Sequence, residues 1–525
     1  MEAQTEQPVV YPSGIAKWIL IITAVSCAVL ELIDTTVVNV ALREISGNIG
    51  ATVTEIAWVV TSYSIANVIV IPLSGMFSNL FGRKAYFTGS VALFTFASVM
   101  CGISGSLWVL VFWRFVQGLG GGGILSTAQS IIMDAFPPEK RTTGLTIFGL
   151  GAIIGPSFGP VLGGVITDNF SWHWIFFINV PIGVVGSYLS WKYVENMQGV
   201  EKPRMDWWGI LFLIIGIGSL QYVLEEGVIK DWFESSEITT FFILAMIGLL
   251  LFVIREFSID YPAVNLRLYR NFNLAMGSLM NLVIGLIMTG TLFIFPLFVQ
   301  VSLGWTATKT GAFMIPGSLI VLVGMIAAKK AMDAGVNPKI IILTGLFLTV
   351  LYLALLSFSS PDSGSHDLFW PFMLRGIGAV MMIIPVLGLA VAGLTGKDLA
   401  QAVGLSNMLR QLGGALGVAL INIYLSNENA YIRSNMVEHI SPYDPISTES
   451  ITGLTQLFHG AGYGTEDATM AAYAMMDGAV TQQQLLLGYN HGFIMVGVVI
   501  LFCVPVILLI RYKKGENSGG EMMGH

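Results

Sequence analysis

Apolar runs of about 20 residues, long enough for an α-helix to cross a hydrocarbon core about 30 Å thick, recur along the chain at 17–38, 56–76, 85–104, 107–133, 143–167, 172–191, 206–225, 237–255, 272–299, 310–328, 340–358, 368–393, 402–424 and 491–511. They predict fourteen spanning helices and an all-α polytopic membrane protein. Most gaps between them are short. The exception is 425–490, a polar stretch that holds seven acids (Glu428, Glu438, Asp444, Glu449, Glu466, Asp467, Asp477) and a single arginine, Arg433. Its Ser-Pro and Asp-Pro turns near 441–445 and its glycine-rich patch at 460–464 predict a partly ordered loop. A solvated connector is the default for such a composition, and a docking surface is the alternative.

Composition strengthens the membrane reading. Of 525 residues, 54% are hydrophobic and 11% charged, against roughly 45–50% and about 25% in soluble domains. The 59 glycines and 24 methionines suit helices that pack closely in lipid, where small residues let backbones approach. Lys17 precedes the first apolar run, yet the run continues through Glu31 and Asp34 without a small-residue cleavage pattern, so it reads as a retained helix. Cys27, Cys101 and Cys503 lie in apolar runs without metal-ligand spacing.

Charge then orients the chain. With both termini cytoplasmic, eighteen of the 25 Lys and Arg residues fall in inside loops and four outside, as the positive-inside rule requires. The segment 425–490 is then extracytoplasmic. The three remaining cations, Arg114, Arg375 and Arg410, lie within spans. Spans four and twelve echo each other, with Arg114 followed by Gln117-Gly118-Leu119-Gly120 and Arg375 by Gly376-Ile377-Gly378, which is the trace a duplicated bundle leaves. The expected organisation is a six-helix bundle at 1–195, two inserted helices at 196–260, and a second six-helix bundle at 261–525 that carries the loop 425–490.

An ionisable side chain at mid-span costs about 2.5–3.5 kcal/mol on insertion scales, so each needs a partner, a wet cavity or a task. In span one, Glu31, Asp34, Thr35 and Asn39 share an arc of about 140° on a 3.6-residue helix. Proton carriage by Asp34 and Glu31 is one reading; a structural carboxylate satisfied by neighbouring spans is the other. Arg114 would lower a nearby carboxylate's proton affinity or fix helix register as a static ion pair, and Arg375 and Arg410 share that ambiguity. Asn39, Gln117 and Gln129 are candidate linings of a substrate cavity.

Span five carries Gly151, Gly155, Pro156, Gly159, Pro160, Gly163 and Gly164, a smooth, bent ridge suited to an interface between moving halves, or simply to close packing. After span two, Gly75, Asn79, Gly82, Arg83 and Lys84 form a turn whose cations meet helix C-termini or acids, or merely anchor the inside loop. His173 and His491 stand at outer span ends, where an interfacial role outweighs a proton relay. No Walker A loop, nucleophile–base arrangement or repeated pore loop appears, so neither an enzyme nor a channel is expected. Secondary transport remains.

Together these motifs resemble the fourteen-helix drug:proton antiporters (EmrB/QacA-like) of the major facilitator superfamily. Leu32 to Ala41 is similar to that family's first-helix motif, Gly75 to Lys84 to its loop-two motif, Arg114 to Gly120 to its fourth-helix motif, and Gly151 to Gly164 to its antiporter motif. Two further stretches, Ser171 to Gly183 and Arg410 to Gly417, match this branch. The resemblance implies the major facilitator fold and proton-driven export of varied hydrophobic or amphiphilic compounds. It also implies coupling through Asp34 and Arg114, a hinge at Gly155 and Pro156, and gating by Gly75, Gly82 and Arg83. No cofactor beyond the coupling proton is implied. The implied setting is a bacterial inner membrane, with a periplasmic adaptor (an EmrA-like membrane fusion protein) and an outer-membrane channel as partners. Export of one endogenous lipid, siderophore or metabolite is the alternative, and a non-transporting receptor a more distant one. Asn79 stands where the loop-two motif usually has Asp, and His173 where Arg is common.

Overall fold

A computed structural model describes residues 13–509 except 138–139, 196–204, 393, 395, 441–442 and 502–503; Cys503 lies outside the described residues, as do the side chains of Arg43 and Pro160. The helices are α1 (Gly14–Ile49), α2 (Trp58–Phe81), α3 (Arg83–Gly102), α4 (Leu107–Asp134), α5 (Arg141–Asn169) and α6 (Asn179–Tyr193). They continue with α7 (Trp207–Glu226), α8 (Ser236–Ser258), α9 (Phe272–Leu297), α10 (Thr308–Asp333), α11 (Pro338–Leu356), α12 (Ser365–Ala390) and α13 (Gly396–Glu438), then α14 (Pro445–Gly460) and α15 (Thr465–Leu501). Thirteen stretches of described helix are long and apolar enough to cross a membrane, and α5, with 29 residues, has the length of a fourteenth.

Their boundaries follow local chemistry. Gly82, with φ at 85°, supplies the left-handed turn between α2 and α3. Pro316 removes a backbone donor and α10 breaks at Ile320, while α9 ends beyond Pro296 in a wider π-type turn at Phe298–Ser302.

Helices α1 to α6 pack on one another, as do α9 to α13 with α15. Helices α7 and α8 cross where Gly216 meets Gly248, since a methyl on Gly248 would sit 2.6 Å from the Gly216 nitrogen. They close at one end through Arg255 and Asp206 (2.9 Å) and at the other through Lys230 and Glu237 (2.8 Å). Helix α7 lies over the seam between α2 and α13, where Ile210, Leu213 and Ile217 pack with Val68, Ile69, Met408 and Leu412.

The segment 425–490, read from sequence as a partly ordered loop, is largely helical. Helix α13 runs on through Glu438 and α15 begins at Thr465, with α14 between them. Glu466, Asp467 and Asp477 sit on α15, which between 465 and 490 is rich in Ala, Met and Gln, whose intrinsic preference favours the helix over coil. Arg433 joins the two extensions by binding Asp477 and donating to Thr481 at 3.0 Å, and His491 meets Glu428 at 2.7 Å. The interfacial histidine is thus a pairing residue at the foot of the extension, where Tyr431, Met436 and Leu487 line a groove of 640 Å³.

The glycine ridge of α5 serves close packing, the second of its two readings. Methyl groups on Gly151 and Gly155 would lie 2.8 and 3.0 Å from Val29 and Leu32, one on Gly159 would collide with Thr36, and Gly163 abuts the Val37 carbonyl at 3.0 Å. Four-residue spacing places these glycines on one stripe, and that stripe faces α1 inside the same bundle. The interface with α10 uses other residues, Gly149 against Met325 and Val161 against Gly311. Gly164 meets nothing within 4 Å.

Candidate functional site

Two polar clusters occupy the interior of the first bundle. In the first, Arg114 Nη1 lies 2.5 Å from Asp34 Oδ2 and 2.7 Å from Gln117 Oε1, while its Nε donates to the Val59 carbonyl at 3.1 Å. Asp34 Oδ1 accepts from Gln117 Nε2 at 2.9 Å and from Asn179 Nδ2 at 2.7 Å. Ser98 Oγ accepts from Gln117 Nε2 at 2.7 Å. Five side chains from four helices thus close a network in which Asp34 and Arg114 are each 1% exposed. Two charges taken out of lipid and water persist only with this degree of satisfaction.

One turn along α1, Glu31 forms the second cluster. Its Oε1 accepts from Tyr63 Oη at 3.0 Å and from Asn67 Nδ2 at 2.9 Å, whereas Oε2 is buried and has no partner among the described residues. Gly121 makes the room, since a methyl there would sit 2.6 Å from the Tyr63 hydroxyl, and methyls on Gly118 or Gly122 would press on the backbone of α2. The small-residue stripe of α4 therefore admits α2. Arg410, on α13 of the other bundle, is near enough for its charge to bear on Glu31.

Arg410 leads to the contact between bundles. Its Nη2 donates to Asn407 Oδ1 at 3.2 Å, and Asn407 Nδ2 donates to Gln129 Oε1 at 2.8 Å and Ser126 Oγ at 3.3 Å. Nearby, Gly75 lies against Gln401 and Gly404 against the Ile71 carbonyl. At the end of the molecule where α1 begins, Arg83 bonds Asp134 at 2.7 Å, and Arg141 donates to the Leu394 carbonyl at 2.7 Å. Lys84 Nζ sits 4.8 Å from the Trp191 ring.

The structure thus redistributes the candidates. Gln117 and Gln129, read as cavity lining, are spent on Asp34 and on Asn407, because buried amides need partners. Asn39, two turns beyond Glu31, is exposed and belongs to neither cluster. Asn79 is buried with neither amide atom partnered among the described residues. His173 stacks on Trp172 and meets Ser171 Oγ at 2.6 Å, and partial burial lowers its proton affinity. Sequence reasoning gave no role to Tyr63, Asn67, Ser98, Asp134, Asn179 or Asn407. Only Asn179 carried a signal, as part of the stretch Ser171 to Gly183.

Arg375, in α12 of the second bundle, has one hydrogen bond among the described residues, from Nε to Thr291 Oγ1 at 3.2 Å, and its guanidinium lies 5.3 Å from the Phe372 ring.

A polytopic helical protein whose acids and guanidiniums gather inside packed bundles, with polar bonds across the seam between them, belongs by fold and site to the class of secondary transporters. More narrowly, the chain belongs to the Major Facilitator Superfamily, whose family model matches residues 24–418. It is 32% identical to the fatty acid resistance protein FarB of Neisseria gonorrhoeae, over 94% of this chain and 96% of that protein. It is 32% identical to the multidrug export protein EmrB of Haemophilus influenzae, with 93% and 96% covered, and 30% identical to EmrB of Escherichia coli K12, with 96% and 98% covered. Among solved structures, the human organic anion transporter MFSD10 aligns with a TM-score of 0.57 at 12% identity, covering 92% of this chain and 99% of that one. An inward-facing bacterial homolog of the human lysosomal transporter Spinster aligns with a TM-score of 0.54 at 14% identity, with 96% and 100% covered. These two likenesses concern the fold alone.

Proposed function

We propose that this chain is a proton-driven exporter of varied hydrophobic or amphiphilic compounds, and no enzyme, with Glu31 as the group that exchanges the coupling proton. The observation that carries this reading is the Oε2 of Glu31, buried without a partner among the described residues while its other oxygen is held by Tyr63 and Asn67. Ionised, Glu31 attracts Arg410 across the seam; protonated, it does not. One proton thereby weakens the hold between the bundles. Asp34, with three donors already in place, orients α1 against α4 and α6. The bonds Gln129–Asn407 and Arg141–Leu394 suit a transporter closed at the end where α1 begins, and the basic loops support a cytoplasmic setting for that end. Similarity to EmrB supports a bacterial inner membrane as the setting, and an adaptor and outer-membrane channel as partners of the helical extension. Export of one lipid-like metabolite is the second reading, favoured by the similarity to FarB.

The test uses the full chain in liposomes with an imposed pH gradient and ethidium as cargo. Glu31→Gln is expected to lower gradient-driven efflux about 100-fold while the protein stays folded. Wild-type efflux by that variant would overturn the assignment.

A further inference from the structure

Where Arg114 finds Asp34 on the first helix of its bundle, Arg375 finds only a hydroxyl, Thr291, on the first helix of its own. No carboxylate pairs with Arg375 among the described residues, although the residue is only 8% exposed. Beside it, Tyr352 of α11 is fully buried, and its hydroxyl has no partner among the described residues. The Tyr352 ring stands edge-on to Phe372, 6.4 Å between centroids, and Phe372 is the ring that the Arg375 guanidinium overlies. Thr291 already spends its proton on the Met288 carbonyl at 3.2 Å. This corner of the bundle therefore collects a permanent cation and an idle hydroxyl donor with no carboxylate among the described residues to receive them.

A buried guanidinium without a counter-charge carries its full desolvation cost, and a planar fork of N–H donors matches a carboxylate in two directions at once. Phe372, over the guanidinium, packs in turn at a tilt against Phe295 and Phe313, with ring centroids 4.5 and 5.5 Å away. Apolar surface thus adjoins the charge, the pairing an amphiphile's head and tail would use.

We propose that Arg375 and Tyr352, steadied by Thr291, form a site for a monovalent anion in the second bundle, either the carboxylate head of a transported amphiphile or a halide. As a substrate subsite this deepens the exporter reading. Binding, however, is measured without any gradient, so failure of proton coupling leaves the result untouched.

The full chain in detergent is titrated by calorimetry with laurate, with uncharged methyl laurate, and with chloride against a gluconate background. Laurate is expected to bind wild type, with Arg375→Gln weakening it by about 10- to 100-fold, the worth of one or two bonds to a charged group. Tyr352→Phe should weaken it less, and methyl laurate should bind the two arginine forms alike. Thr291→Asp, which supplies the missing acid, should displace laurate while keeping Arg375 paired, so its loss of binding with an unchanged melting profile separates site chemistry from misfolding. Chloride binding that disappears in Arg375→Gln, with laurate indifferent to the substitution, would keep the anion site and assign it to the halide. Laurate and chloride both binding wild type and Arg375→Gln equally, or neither binding wild type, would overturn the proposal.

Discussion

Arg114 and Arg375 occupy comparable places in two bundles of the same chain, and their surroundings differ by one counter-charge. Arg114 is locked by Asp34, Gln117 and the Val59 carbonyl, while Arg375 reaches Thr291 and otherwise lies among aromatic rings. The first bundle therefore contains a finished electrostatic structure and the second an unfinished one. A finished pair holds helices in register; an unfinished one is available to something that arrives and leaves.

The sharpest break of this comparison is in stability. Arg114→Leu strands the Asp34 carboxylate and should cost about 3–5 kcal/mol, whereas Arg375→Leu removes a charge paired with no acid among the described residues and should be neutral or stabilising. Denaturation of both variants in detergent checks this, and equal losses would erase the distinction. Next in size, Tyr63→Phe removes one of two bonds to Glu31 and should cost about 1.5–3 kcal/mol of its carboxylate's stabilisation, read as a shift in the pH profile of efflux. Asn407→Ala deletes the amide that joins Gln129 across the seam and should favour opening by about 1 kcal/mol, seen as faster labelling of a cysteine placed at Gln401.

The smallest effect lies outside both bundles. Asp444 Oδ2 accepts from the Ser447 amide at 2.9 Å and from its hydroxyl at 2.6 Å, which holds the carboxyl below its ordinary 3.8. A depressed carboxyl contributes stability above its unfolded value and loses it as pH falls through the folded one. Protection of the α14 amides from hydrogen exchange should therefore fade below pH 3.8 and be absent at neutral pH in Asp444→Ala.

Much of the fold could be read along the chain, because lipid demands long apolar helices and hydropathy records them directly. Asp34 and Arg114 were visible for the same reason, as charges where none are tolerated without a task. What remained hidden was convergence. Asn179, Ser98, Tyr63 and Asn67 are ordinary polar residues in their own helices, and only packing brings them to Asp34 and Glu31. Periodicity likewise aligned Gly151, Gly155, Gly159 and Gly163 on a stripe but could not name α1 as the neighbour. The acids and turn residues of 425–490 masked the helical preference of the Ala, Met and Gln positions between them.

The continuity of α13 and α15 through that segment has a mechanical consequence. Between Thr465 and Asn490, α15 projects about 37 Å at the helical rise of 1.5 Å per residue. Because no hinge separates this arm from the span below it, a tilt of about 10° at the pivot sweeps the far tip through about 6 Å. With Arg433 fastening α13 to α15, the pair would move as one lever, turning small rearrangements among the packed helices into large strokes at its tip.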